Sequence, residues 1–325
     1  MKAFQYDNAT DGLQLKELPV PEPGVDEVLI RVRAVGMCHS DCHMLTGAHD
    51  NWLSKLPITL GHEVAGEIIK KGSEDLPYHI GERVAIYLIS QPIETLDWAL
   101  NIGLGFDGGY AEFAVVPTSR IKPIPDEVSF AQAAVAMDAL ATSYHAVVVR
   151  AGVKQGMVVG IIGLGGLGMS GLAFSVLQGA EVYGFDIDTS KFSEAKTFGA
   201  TECFMSVEEA KGVTFDVIVD FVGVGATVDA ACSEIRPGGT VVLVGLDSTK
   251  VPISTEKLIF KGFTLLGSLG ASKEACDLVV ELLQQGSISP KLIEVPFHDI
   301  PATLNILATQ ARNDGRYWAD PSKLS

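Results

Sequence analysis

Cysteine is scarce in this 325-residue chain, with five residues scattered at positions 38, 42, 203, 232 and 276. An odd, widely spaced set cannot build a dense disulfide framework and fits free thiols in a reducing compartment. Positive charge is also short. The chain has 24 Lys and Arg against 40 Asp and Glu, a net charge of −16, so it has no excess basic surface for a phosphate backbone, and a nucleic-acid partner is not expected. No stretch of about 18 uncharged apolar residues suggests a membrane span. The longest candidate, Val153 to Gln178, is interrupted by glycine. The opening Met1-Lys2-Ala3-Phe4-Gln5-Tyr6-Asp7 lacks the basic-then-apolar order of a secretory leader. Ser322-Lys323-Leu324 has the letters of a peroxisomal address, but Ser325 follows it, and that signal must be terminal. The cytoplasm is the expected location.

Hydrophobic residues make up 47% of the chain, and its 34 glycines show no period. The length exceeds one ordinary core and suits two domains. Residues 1 to about 135 are β-rich, with strands predicted at Val28 to Val35, Arg83 to Tyr87 and Tyr110 to Val116. Phe130 to Arg150, rich in alanine and free of Gly and Pro, is predicted helical. From about 157 the rhythm becomes strand, tight turn, helix. Strands are expected at Val158 to Ile162, Glu181 to Phe185, Phe215 to Asp220, Thr240 to Val244 and Thr264 to Leu266, with helices at Met169 to Gln178 and near Ser190 to Phe198. Short apolar strands alternating with helices imply a doubly wound parallel sheet. After about 271 one amphipathic helix, Lys273 to Gln285, precedes irregular structure.

Gly163-Leu164-Gly165-Gly166-Leu167-Gly168 matches G-x-G-x-x-G between a predicted strand and helix. In that context Gly163 permits the turn, Gly165 admits a pyrophosphate, and Gly168 lets the helix pack on the sheet. Asp186 ends the second strand, where a carboxylate accepts both ribose hydroxyls and repels a 2′-phosphate. NAD is therefore expected over NADP.

Upstream, Cys38, His62 and Asp138 lie in Gly36-Met37-Cys38-His39-Ser40-Asp41, Gly61-His62-Glu63-Val64-Ala65-Gly66 and Ala136-Met137-Asp138-Ala139. A thiolate, an imidazole and a carboxylate form a three-ligand zinc set with a fourth position left for substrate oxygen. Asp138 is the most telling, because it interrupts an apolar helix, where a carboxylate is costly unless paired or metal-bound. An open zinc beside a dinucleotide site suggests alcohol and carbonyl interconversion.

With these motifs in place, the chain resembles a zinc-dependent alcohol dehydrogenase of the medium-chain dehydrogenase/reductase superfamily, from Gly36 to about Gly270. The resemblance implies a GroES-like catalytic domain (1–139), a Rossmann domain (140–269) and a C-terminal segment (270–325) completing the first. It implies Cys38, His62 and Asp138 as zinc ligands and Glu63 as an accessory ligand near the metal. It also implies a proton relay from Ser40, through the nicotinamide ribose, to His43. Further cofactor positions implied are His39 at the pyrophosphate, Lys191 near the adenosine ribose, Thr142 beneath the nicotinamide, and Val244 and Leu269 at its carboxamide. Arg316 is a candidate phosphate contact, although Tyr317 to Pro321 departs from the usual closing strand.

Cys42 matches no ligand position and is expected to be a packed thiol, and His49, His79, His145 and His298 are expected to be surface or capping residues. Relatives often carry a second, structural zinc on four cysteines. The corresponding Ala85 to Gly108 has none, so one catalytic zinc and no structural zinc is expected. The apolar residues there, with Trp52 and Trp98, suggest a hydrophobic or aromatic alcohol, aldehyde or ketone, and the family pattern suggests a homodimer or homotetramer. A zinc-free enoyl or quinone reductase and a non-catalytic structural relative are the alternatives. The retained ligand and relay residues weigh against both.

Overall fold

A computed structural model describes residues 1–47, 50–309 and 315–323, without the side chains of Asp50 and Glu94. His49, Leu324 and Ser325 lie outside the described residues. The chain divides into two compact units, Met1–Asp138 with Ala271–Ser325, and Ala139–Gly270.

The first unit is built on the strand Glu27–Gly36. Val28, Ile30 and Val32 point into the core at 0% exposure while Arg31 faces water. Each such buried side chain stabilises the fold by about 1.5–3 kcal/mol. One edge of this strand pairs antiparallel with Glu63–Lys71, through two register shifts that bend it. Its other edge takes Phe113–Pro117 at the start and Arg316–Ala319 at the end. Arg83–Ile86 and Ile121–Pro123 extend the sheet beyond Glu63–Lys71, and Leu292–Glu294 extends it beyond Arg316–Ala319. The C-terminal part is therefore not irregular as expected. Helices Lys273–Gln284 and Ile300–Thr309 and two strands lie there, and Ile300, Leu304 and Leu307 join the same core. The short strand Arg316–Ala319 carries no alternating apolar pattern and owes its place to pairing with Val35 and Gly36.

Helix Phe130–Val135 starts at a Ser129–Gln132 capping box. It does not run on as one α-helix to Arg150. Ala136–Leu140 and His145–Arg150 wind as π-turns on either side of the α-turn Ala141–Tyr144. Side-chain propensity does not distinguish the two windings, whereas π-turns gather at functional sites.

The second unit is a six-stranded parallel sheet. Its order is Glu202–Phe204, Glu181–Phe185, Val158–Ile162, Phe215–Asp220, Ile235–Leu243, Thr264–Gly267. Strand order reverses between Val158–Ile162 and Phe215–Asp220, and ligands bind outside the carboxyl ends of strands at such a point. Helix Gly166–Leu177 begins three residues earlier than Met169, because its first turn is the glycine motif itself.

Candidate metal centre and cofactor turn

Cys38 leaves strand Glu27–Gly36 with extended backbone and caps helix His39–Leu45. Asp41, three residues on, reaches back to accept the Cys38 N–H at 3.0 Å. His62 directly precedes strand Glu63–Lys71, set by Gly61 at φ +90°. A Cβ at Gly61 would meet the Tyr110 ring at 2.6 Å, so only glycine admits that tyrosine. Asp138 projects from the π-turn. The ligand atoms of Cys38, His62 and Asp138 all lie within 4.8 Å of one another, and His62 Nε2 is 3.5 Å from Asp138 Oδ2. A tetrahedral ion with bonds of about 2.0–2.3 Å separates its ligands by roughly 3.3–3.8 Å. The three are buried, and sulfur, nitrogen and oxygen together suit zinc. Among the described residues no second group of His, Cys, Asp and Glu meets this spacing.

Asp41 is the central support of the cluster. It is fully buried, its Oδ2 also accepts the Tyr110 hydroxyl at 2.8 Å, and its Oδ1 faces His62 Nδ1 at 3.3 Å. A carboxylate behind a ligand histidine fixes the tautomer that leaves the other nitrogen free for metal. Burial alone would lower the His62 pKa, but Asp41 and Asp138 together hold it well above its usual value. Burial likewise opposes the Asp138 charge, yet His62 and Arg316 keep that carboxyl well below its usual range. Burial and the Asp41 charge push the Tyr110 hydroxyl far up, so it stays protonated as a donor. Asp41 and Tyr110 were not singled out from sequence. The spacing of Asp41 from Cys38, that of a capping box, is the one signal that could have found it.

Glu63 and Arg316 form a buried two-bond ion pair, Nε to Oε2 at 3.0 Å and Nη2 to Oε1, and Nη2 also reaches Asp138 Oδ2 at 3.3 Å. Burial raises the Glu63 carboxyl to about 7, against the pull of Arg316. Gly36 makes room, since a Cβ there would fall 1.8 Å from Glu63 Oε2. Arg316, considered from sequence as a phosphate contact, thus has its Nε and Nη2 on the carboxylates of the metal cluster.

Ser40 Oγ lies 3.2 Å from His62 Nε2. His43 is half-buried on the same short helix, three residues from Ser40, and His39 is exposed. Cys42 is packed as expected, its thiol 3.3 Å from the Leu304 carbonyl, and burial raises its pKa to about 12. His79 and His298 are exposed, but His145 is buried within the π-turn His145–Arg150, contrary to a surface role.

The cysteine-free lobe is folded around a buried arginine. Arg120 donates to the carbonyls of Ile89 and Leu100 and to Asn101 Oδ1, which also accepts the Ser90 N–H at 2.9 Å. Trp98 from this lobe stacks on Trp52, with ring centroids 6.0 Å apart.

In the second unit, Gly163 turns at φ +84° and a Cβ on Gly168 would overlap the Gly163 carbonyl at 1.6 Å. Gly165 has nothing within 4 Å of its Cβ position, which is the open cradle a pyrophosphate needs. Gly166 and Leu167 open the helix, and buried Leu164 donates its N–H to Asp186 Oδ2 at 2.7 Å. Lys191 Nζ lies 3.0 Å from the same oxygen. The Asp186 carboxylate is therefore held over the glycine turn, and the residues present fit an NAD. Thr142 is buried in the turn Ala141–Tyr144, Val244 follows strand Ile235–Leu243, and Leu269 is exposed just past Thr264–Gly267.

Residues 24–126 match the alcohol dehydrogenase GroES-like domain, and residues 166–285 match the zinc-binding dehydrogenase family. An alcohol dehydrogenase of Geobacillus stearothermophilus is 30% identical over 321 residues, covering 92% of this chain and 94% of that protein. The acetophenone reductase of Geotrichum candidum, solved in complex with NAD, is 28% identical with a TM-score of 0.90, covering 99% of this chain and 98% of that one. A cobalt- and zinc-bound thermostable alcohol dehydrogenase of Pyrobaculum aerophilum is 27% identical with a TM-score of 0.86, covering 99% of each chain. With its Cys38, His62 and Asp138 cluster and its glycine turn, the chain belongs to the zinc-binding alcohol dehydrogenases of the medium-chain dehydrogenase/reductase superfamily, oxidoreductases that act on CH–OH groups with NAD(H).

Proposed function

We propose that the chain interconverts hydrophobic, including aromatic, alcohols with their aldehydes or ketones, using one zinc held by Cys38, His62 and Asp138. The observation that carries this reading is the meeting of three buried donors within 4.8 Å, with Asp41 braced behind the imidazole. When bound, zinc supplies a Lewis acid that polarises the substrate oxygen, and NAD supplies the hydride acceptor. Asp41 keeps His62 Nε2 available to the metal. Glu63 stands by as an accessory ligand, restrained by Arg316. Ser40 Oγ would accept the substrate's hydroxyl proton while passing its own on toward the nicotinamide ribose, and His43, on the same helix, would be the terminus that exchanges a proton with water. Asp186 selects the ribose without a 2′-phosphate, and Val244 and Leu269 offer backbone groups to the nicotinamide. His39, Lys191 and Thr142 complete the cofactor contacts.

The Trp52–Trp98 stack and the apolar lobe support a bulky apolar substrate, as does the likeness to a reductase named for an aromatic ketone. Five free cysteines support a reducing, cytoplasmic setting. No helix among the described residues is long and apolar enough to cross a membrane. The edge position of Thr264–Gly267 supports pairing with a second copy in a homodimer or homotetramer. The test is a panel of primary, secondary and aromatic alcohols with NAD, followed by NADH absorbance. Aromatic and longer alcohols should give higher kcat/KM than ethanol, and a preference for small polar alcohols would overturn the substrate class.

A further inference from the structure

Asp220 ends strand Phe215–Asp220 with 0% of its surface exposed, and no cation pairs with it among the described residues. Hydrogen bonds alone hold it. Its Oδ1 accepts the N–H groups of Val222 at 2.8 Å and Gly223 at 3.0 Å, and its Oδ2 accepts the Thr227 hydroxyl at 2.7 Å. Its carbonyl oxygen accepts Val244 N–H at 2.9 Å and Gly245 N–H at 3.1 Å. One residue therefore ties the turn after its own strand to the turn after Ile235–Leu243. The two turns touch through backbone. A Cβ on Gly223, at φ +77°, would lie 2.0 Å from the Gly245 carbonyl oxygen, and the Val222 carbonyl accepts Asp247 N–H at 3.2 Å. The Leu243 carbonyl accepts Ser268 N–H at 2.9 Å, which links in the segment leading to Leu269. The Gly163 turn has an anchor of its own, its N–H donating to the Phe185 carbonyl at 2.8 Å, while the Val222 side chain packs on its other side, 2.6 Å from where a Gly163 Cβ would lie.

We propose that Asp220 is a positioning residue for the nicotinamide half of the cofactor, setting the spacing of the 221–224 and 244–248 turns that present Val244. This rests on the reading above that Val244 holds the nicotinamide. ADP-ribose, which lacks that ring, depends on the Gly163 turn, which keeps its Phe185 anchor, and on Asp186, and should respond to Asp220 far less than NADH does.

The experiment titrates NADH and ADP-ribose into wild type, Asp220→Ala, Asp220→Asn and Gly223→Ala, with thermal melting as the folding control. Asp220→Ala should weaken NADH by about tenfold or more, the scale of buried donors left unpaired, with ADP-ribose changed by less than about twofold on the same scale. Asp220→Asn keeps an acceptor for Val222 and Gly223, and its amide can donate to the Thr227 hydroxyl, so it should restore NADH binding. Gly223→Ala, which forces the turns apart without touching the carboxylate, should reproduce the Asp220→Ala pattern and serves if that variant fails to fold. Equal weakening of both ligands, no weakening of NADH in the folded variants, or an Asn variant as impaired as Ala would overturn the proposal. Wild type that binds ADP-ribose but gains nothing from nicotinamide would instead overturn the assignment of Val244.

Discussion

Asp41→Asn separates the support of the metal cluster from its ligands. In the wild type one carboxylate oxygen accepts Cys38 N–H and Tyr110 O–H while the other faces His62 Nδ1. An asparagine has a single acceptor oxygen. Placed toward Cys38 and Tyr110, it turns its amide N–H groups on His62 Nδ1 and drives the imidazole to the tautomer with its proton on Nε2, the nitrogen facing Asp138. Placed toward His62, it leaves two buried donors facing an amide. Either way zinc affinity should fall by about 10- to 100-fold, which is about 1.4–2.7 kcal/mol. Competition with a chromophoric chelator measures this, and circular dichroism confirms the fold. Tyr110→Phe is the control, because it removes one donor at a cost of about 1–2 kcal/mol in stability while Asp41 still faces His62. Zinc affinity within about twofold of wild type in Asp41→Asn, on the same scale, would refute the reasoning.

Asp186→Ser should narrow the NAD to NADP ratio of kcat/KM by about tenfold or more, and an unchanged ratio would remove Asp186 from cofactor choice. Arg120→Met removes the guanidinium from the carbonyls of Ile89 and Leu100 and from Asn101 Oδ1, leaving the buried Ile89 carbonyl without that donor. It should cost about 2–4 kcal/mol and open residues 88–106 to limited proteolysis, and a wild-type melt and digestion pattern would count against the arginine-centred lobe. His43→Gln should slow alcohol oxidation most at low pH with zinc retained, because hydroxide substitutes for the imidazole at high pH, and an unchanged pH–rate profile would exclude His43 from proton transfer.

The features legible in the sequence are those written in local residue choice. Gly163 and Gly168 announce a turn because a side chain does not fit there, Gly165 keeps open the space a pyrophosphate needs, and the parallel strands follow from short apolar runs between helices. Asp138 stood out as a charge inside an alanine-rich helix. Partnerships across long sequence separations were not legible. Arg316 meets Glu63 across 253 residues and Asp138 across 178, so its side chain could be read only as a cation. Tyr110 meets Asp41 across 69 residues, and no periodicity records that contact. The strand Arg316–Ala319 was missed for the same reason, since its identity lies in its neighbour. The π-turns escaped because alanine and leucine suit either helical winding.

The central claim is a single metal on Cys38, His62 and Asp138, and elemental analysis of purified wild type and Asp138→Ala tests it most directly. The wild type should hold about one zinc per chain, as three ligands with one open position imply. The variant should lose metal and alcohol oxidation together while its circular dichroism stays native. Full zinc content and activity in Asp138→Ala would make Asp138 no more than a partner of Arg316, and two zincs per wild-type chain would contradict the arginine-folded, metal-free lobe.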